Sequence, residues 1–375
     1  MPKSVVVLGG SLGGLAVAHR LLKYTLPREP HLKVILISKN THFYWNVASV
    51  RAVIPGVLKD EQVLQPIEPG LAQYPPDSVD FILGEVTSLD TASKTVHVST
   101  CEDASTAVAF DYLVIATGST SKSPSMPWKA SSTHEACVEA LHATTDSIRR
   151  ASHIVIAGAG ATGVELAGEI RFEFRDKTVV LLSSDEQLLG GDGIASAAER
   201  ELAKLGVDIR RGVRVAGAEE VEEGGRTVVR LEGGEEIETE LYLPTMGFVP
   251  NTAYLPDRFL RDSGYVDVDE YMGVAAQDAG GIWAVGDAVS KPRAGFLITE
   301  AQAAGVAKNI ELVLQGKEQQ LVRGPSVDIF ICSTGRSRAA GRVGFVPMPS
   351  LAAWIGKGRT LGVDRTKKYV DGTMW

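Results

Sequence analysis

At 375 residues, with 44% hydrophobic and 22% charged residues, the chain has the length and composition of two or three soluble globular domains. A net charge of −8 argues against nucleic acid as a partner, since such a surface needs a basic patch. No run of about 18 apolar residues predicts a spanning helix. The chain also enters a strand at once, without the charged start, apolar core and cleavage site of a secretory leader. Cys101, Cys137 and Cys332 stand far apart, with no C-x-x-C and no Cys/His cluster. That spacing excludes a disulphide scaffold, a usual zinc site and a sequence-adjacent redox dithiol, and no metal site is expected. A reducing, cytoplasmic setting follows as the expectation.

The first motif comes early. Val5–Leu8 is a short buried-strand pattern leading into Gly9-Gly10-Ser11-Leu12-Gly13-Gly14 and a helix over Leu15–Leu22. Ser11 occupies the place of the second glycine of a G-x-G-x-x-G turn. Serine is small, and its hydroxyl can itself bond a phosphate, so the turn reads as an altered nucleotide site. A Rossmann turn that binds nothing is the alternative. Val34–Ile37 is the next strand, and Ser38 follows it where an acidic residue normally takes the ribose hydroxyls. Lys39 and Asn40 come after it.

The stretch from His42 to Arg51 is rich in aromatic residues and ends on a cation. The aromatics read equally as core, and Arg51 as a phosphate ligand or a surface charge. From Val79 to Phe110 short alternating segments, Phe81–Leu83 among them, suggest a β-meander that includes Val86. A buried strand then stops at Thr117-Gly118, where small residues leave room for a ligand beside the backbone. A helix over Glu135–Arg149 precedes the second motif.

That motif is the fuller one. Ile154–Ala157 leads into Gly158-Ala-Gly160-Ala-Thr-Gly163, and a helical pattern carries Glu165 and Glu169 four positions apart. The first glycine permits the sharp turn, the second the approach of a pyrophosphate, the third close packing of helix on strand. The pyrophosphate then meets the free N–H groups at the helix start. Strand Val179–Leu182 ends at Ser183, Ser184 and Asp185, which supply neither the acid of an NAD site nor the arginine of an NADP site at the first position. Nicotinamide preference stays open. Glu199–Leu205 reads as a helix, and residues 207–242 as acidic hairpins turning at Gly224-Gly225 and Gly233-Gly234. Leu243–Met246 ends at Gly247 much as the earlier strand ended at Gly118. Gly281–Val285 then delivers Gly286-Asp287 at a strand's carboxyl end, and Glu300 opens a small-residue helix whose start can face a ring carbonyl.

The ordered set of Gly9 to Gly14, Ala116-Thr117-Gly118, Gly158 to Gly163 and Gly286-Asp287 resembles the two-dinucleotide flavoproteins of the pyridine-nucleotide oxidoreductase superfamily. The resemblance covers about residues 3–312. The loop His42–Arg51 is similar to that of apoptosis-inducing-factor-like proteins, and the ferroptosis-suppressor type of NAD(P)H:quinone oxidoreductase is the nearest subgroup. The resemblance implies an α/β fold of two Rossmann-like domains, the second inserted in the first. An FAD-binding domain would comprise residues 1–119 and 252–318, an NAD(P)H-binding domain residues 120–251, and a short C-terminal region residues 319–375. It further implies that Gly9, Gly10, Ser11, Gly13 and Gly14 hold the FAD pyrophosphate, with Arg51 nearby, Val86 beside the adenine and Ser38 at the ribose position. Thr117 and Gly118 would line the FAD site, and Asp287 would bond the ribitol or phosphate. Gly158, Gly160 and Gly163 would carry NAD(P)H, with Glu165 beside the nicotinamide as the catalytic residue. Pro2 stands where some members carry an acylated glycine, so a lipid anchor does not carry over.

Flavin chemistry takes two electrons as hydride and returns them singly or together. Without a cysteine pair in the His42–Arg51 loop, a thiol relay is not expected, and the acceptor would meet the flavin directly. A quinone-type small molecule is the first expectation. A rubredoxin- or ferredoxin-like protein is second, disfavoured by the chain's own acidity, and a flavin-bound redox sensor with little turnover is third. The tail carries candidate strands at Val327–Ile331 and Gly341–Val346. Pro347–Arg359 mixes apolar and basic residues, either as an interfacial segment giving peripheral membrane contact or as a packed helix with solvated Lys357 and Arg359. Oligomeric state is not indicated.

Overall fold

Runs such as Val5–Leu8 and Ile154–Ala157 are buried on both faces, the condition for strands inside a parallel sheet covered by helices. The computed structural model describes residues 3–100, 105–130, 133–221, 225–289 and 295–375; Pro2, Cys101 and Gly224 lie outside them. The strands that build the two parallel sheets are β1 (Lys3–Leu8), β2 (Leu32–Ser38), β3 (Val79–Leu83), β4 (Tyr112–Ile115), β5 (His153–Ala157), β6 (Thr178–Leu182), β7 (Asp208–Arg210), β8 (Leu241–Pro244) and β9 (Ile282–Ala284). The first sheet has the order β9-β4-β1-β2-β3 and the second β7-β6-β5-β8. The chain therefore leaves the first sheet after β4, builds the second, and returns to add β9 beside β4. The link is a two-stranded ribbon, Ser119–Ser121 antiparallel to Phe248–Pro250.

The principal helices are α1 (Leu12–Arg20), α2 (His134–Arg150), α3 (Ala161–Glu173), α4 (Ala195–Leu205) and α5 (Phe296–Leu314). The α/β class and the paired Rossmann-like units agree with the sequence reading. Two local expectations need correction. Phe81–Leu83 is no part of a meander; it belongs to β3, the parallel edge strand, in register with β2. The antiparallel meander is Glu85–Asp90, Thr95–Ser99 and Ser105–Ala109. The last long helix opens at Phe296, one turn before Glu300. Glu300 instead accepts bonds from Arg20 and Trp375 at 2.8 and 2.9 Å and from Tyr369, which fixes the chain's end.

The C-terminal region is stitched to both units. Ile329–Ser333 pairs with Ala339–Val343, and a short helix at Ser350–Ala353 runs into a wider turn over Trp354–Gly358. The aromatic loop proves to be core: Phe43, Tyr44 and Trp45 are buried, Phe43 stacks on Tyr369, and Trp45 Nε1 donates to the Leu361 carbonyl at 2.8 Å. His19 on α1 meets the Val370 carbonyl at 2.8 Å and Tyr74 at 2.9 Å. Burial holds its pKa down at about 4.

A histidine with a depressed folded pKa contributes stability that is present above its unfolded value and is lost as pH falls toward the folded one. Lowering the pH from 7 to 5 should cost about 2 kcal/mol through His19 alone. Urea unfolding at the two pH values reads this, and His19→Gln should flatten the difference. An unchanged slope in the variant would remove His19 as the cause.

Candidate active site

The two glycine turns have the same construction. Gly9 and Gly158 adopt φ of +109° and +104°, a region that favours glycine. A Cβ on Gly14 would lie 1.7 Å from the Gly9 carbonyl oxygen, and one on Gly163 would lie 1.8 Å from that of Gly158. At both positions the helix backbone thus lies directly against the carbonyl of the turn's first glycine. Between these positions, a Cβ on Gly160 would meet nothing within 4 Å, so the second turn is open on its outer side. Ser11 and Gly160 are the N-caps of α1 and α3, and neither helix start receives a side-chain cap. Helix N–H groups without intrahelical partners at such an end are available to an anion.

Beside the first turn lies a cavity of about 650 Å³, within the usual size of ligand sites. It brings together Gly9, Gly10, Ser11, Gly13, Ser38, Val86, Thr117, Gly118 and Asp287. Gly14 is instead in the helix–strand contact behind it. Ser38 Oγ donates to the Asn40 carbonyl at 2.8 Å, closing the turn after β2. Thr117 Oγ1 donates to the Asn251 carbonyl at 2.7 Å, and Asn251 Nδ2 returns a bond to the Thr117 carbonyl at 2.9 Å. Those two bonds tie the end of β4 to the returning ribbon and keep Gly118, at φ +66°, facing open space. Tyr254 stands on Thr117 at 3.3 Å, and burial raises its pKa. His42 also lines the cavity and stacks on His134 with ring centres 3.6 Å apart; burial lowers the His42 pKa, and His134 lowers it further.

Arg51 does not line this cavity, which corrects its placement among the phosphate ligands. Its guanidinium is buried and donates from Nε and Nη2 to Glu169 Oε1 at 2.9 and 2.5 Å. It also donates to the carbonyls of Gly358 and Arg359 at 2.8 and 2.9 Å. One turn earlier on α3, Glu165 accepts the Ser333 N–H at 2.9 Å and the Lys357 ammonium at 2.7 Å. Burial pulls the Lys357 pKa down, but Glu165 and Cys332 outweigh it and leave it raised. Lys357 is therefore neither solvated nor interfacial at its ammonium: it reaches inward to the helix of the second glycine turn. No local pattern signals that pairing, since the two residues are 192 positions apart.

The family model described as "Pyridine nucleotide-disulphide oxidoreductase" matches residues 3–309. The chain belongs to the pyridine nucleotide-disulphide oxidoreductase family. It is similar to the oxidoreductase ptaL of Pestalotiopsis fici, 34% identical over 99% of this chain and 100% of that one. It is 27% identical to ferroptosis suppressor protein 1 of Homo sapiens, over 97% of this chain and 95% of the relative. In fold it is similar to the sulfide:quinone oxidoreductase of Aquifex aeolicus, with a TM-score of 0.79, 20% identity, and coverage of 99% and 92% of the two chains. As a member of this oxidoreductase family the chain uses FAD and NAD(P)H. Its residues fit both: two uncapped helix starts, an open face over Gly160 and a cavity at the first turn.

The described residues form no disulphide at this site. Among the described cysteines, Cys137 is buried in α2 and Cys332 is buried beside Glu165, and neither forms a disulphide. Burial, with Glu165 adding to it, pushes the Cys332 thiol well above its usual range. A protonated, enclosed thiol is a poor nucleophile. Iodoacetamide at pH 8 should therefore leave Cys332 unmodified in the native protein, as read by peptide mass spectrometry. Rapid native labelling at that residue would contradict the described burial.

Proposed function

We propose that this oxidoreductase passes electrons from NAD(P)H to a quinone-type small molecule. FAD, when bound, supplies the two-electron exchange between nicotinamide and acceptor. The observation that carries the reading is the Glu165–Lys357 pair at 2.7 Å, beside a thiol held protonated. A carbonyl acceptor needs a hydrogen-bond donor and a proton, and an ammonium offers both. Glu165 would act by positioning the nicotinamide, with Lys357 and the Ser333 N–H fixing its carboxylate. The relatives named ferroptosis suppressor protein 1 and sulfide:quinone oxidoreductase support this choice of acceptor class. Residues 1–119 with 252–318 would form the FAD half and 120–251 the NAD(P)H half, in line with the two sheets and the ribbon between them.

The surface beside Lys357 suits a lipophilic acceptor. Phe345, Val346, Leu351 and Ile355 are exposed, and residues 343–359 carry no acidic side chain but hold the exposed Arg359. We propose that this face makes the peripheral membrane contact, an arrangement that apolar side chains beside a cation favour. No helix among the described residues is long and apolar enough to cross a membrane. Co-sedimentation with phosphatidylserine-containing vesicles tests the contact, and Phe345→Ser should weaken it.

Anaerobic absorption titration tests the function. The protein should be yellow, bleach with NADH or NADPH, and recover rapidly on addition of a short-chain quinone. Recovery with oxygen alone would refute the quinone assignment, and a protein that cannot be loaded with FAD would refute the whole reading.

A further inference from the structure

Arg51, committed to Glu169, supplies no cation to a pyrophosphate at the first glycine turn. Among the described residues, the cavity lining offers two lysines, Lys39 and Lys129. Lys39 follows β2, at the strand end where such folds read the adenosine ribose. Lys129 stands at another part of the wall and is built in more firmly. Its ammonium forms an ion pair with Asp287, with the lysine side chain 17% exposed and the aspartate 20%. It also lies 5.0 Å from the ring centre of Phe248, a contact in which the aromatic face favours the charged form. Phe248 begins the returning strand of the inter-domain ribbon, and Asp287 follows β9. Lys129 is thus held between the ribbon and the first sheet, facing the cavity that both border.

An ammonium has three donors, and the Asp287 pair occupies one of them. A lysine without a cavity ligand to meet would ordinarily place its strongly hydrated charge in water. Here it is drawn onto the wall of the cavity that the glycine turn also lines, in a chain whose overall charge is negative.

We propose that Lys129 is a ligand of the FAD phosphates, filling the role for which Arg51 was the sequence candidate. Asp287 then has two partners, the cofactor and this lysine, and it positions one for the other. The inference rests on FAD occupying the cavity.

The test separates phosphate binding from folding and from ring binding. FAD release from diluted holoenzyme and FAD rebinding are followed by flavin fluorescence for wild type, Lys129→Met, Lys129→Arg and Lys39→Met. Riboflavin, which lacks the phosphates, is titrated in parallel. Lys129→Met should raise the FAD dissociation constant roughly tenfold or more, since the lost bond is charge-assisted. It should leave riboflavin affinity within about twofold and flatten the salt dependence of FAD binding. Lys129→Arg should retain most of the affinity. Equal losses for FAD and riboflavin would make the residue structural and overturn the proposal. So would a loss in Lys39→Met with none in Lys129→Met, or a shifted flavin reduction potential at unchanged FAD affinity. A wild-type protein that does not bind FAD would instead defeat the underlying assignment of the cavity.

Discussion

Gly163→Ala is expected to leave the protein yellow but at least a hundredfold slower to bleach with NADH. The added methyl would sit 1.8 Å from the Gly158 carbonyl oxygen and 2.8 Å from Thr245 Oγ1, so α3 must move off β5. Overpacking of this kind costs about 1–3 kcal/mol or more, and here it falls on the turn that presents the helix start to the nucleotide. Gly14→Ala meets the corresponding clash at 1.7 Å in the first turn and should instead give a colourless protein in reduced yield. Gly160→Ala separates packing from binding. Its methyl meets no protein atom within 4 Å, so the melting temperature should hold while NADH affinity falls, because the methyl enters the space left for pyrophosphate. Absorption spectra, melting curves and NADH titrations of the three variants read these outcomes. If Gly160→Ala bound NADH as wild type does, the second turn would not be the nucleotide site.

What could be read in the sequence was local and periodic. β-Branched runs buried on both faces, and glycines at fixed offsets in a strand–turn–helix unit, depend on residues a few positions apart. Both sheets and both turns were legible for that reason. Val79–Leu83 misled because a short alternating segment looks alike at a parallel edge and in a meander. Charged partners were not legible at all. Arg51 and Glu169 are 118 positions apart, and no spacing rule links them. A cation after an aromatic loop next to a nucleotide site suggested phosphate, and tertiary packing gave it a carboxylate instead. Lys357 has the same history: on a short apolar–basic segment it reads as a surface charge, and the wide turn over Trp354–Gly358 aims it at Glu165. Lys129 follows Pro127 closely and belongs to no motif, and only the tertiary fold brings it to Asp287 and Phe248.

Arg51→Met is expected to lower the unfolding free energy by about 3–5 kcal/mol near pH 8, the range for breaking a buried ion pair from one side. The guanidinium is 3% exposed and the Glu169 side chain 0%, so solvent cannot replace the lost donors. Glu169 Oε2 already lacks a partner, and without Arg51 the other oxygen loses both of its bonds. The carbonyls of Gly358 and Arg359 would be released too, loosening the turn that carries Lys357. Protonation is the carboxyl's escape. Burial raises the Glu169 pKa while Arg51 lowers it, so removing Arg51 sends it higher. A carboxyl with a raised folded pKa contributes stability that is present below the unfolded value and is lost as pH climbs through the folded one. The deficit of Arg51→Met should therefore be smallest near pH 5 and grow toward pH 8, and wild type should show the same sign with a smaller amplitude. The double variant Arg51→Met/Glu169→Leu buries no charge and should unfold within about 2 kcal/mol of wild type at every pH. Urea titrations of the three proteins across that range decide the matter. Equal deficits at pH 5 and pH 8, or a double variant as unstable as the single one, would mean that Arg51 acts through the two carbonyls of the C-terminal turn and that its pairing with Glu169 contributes little.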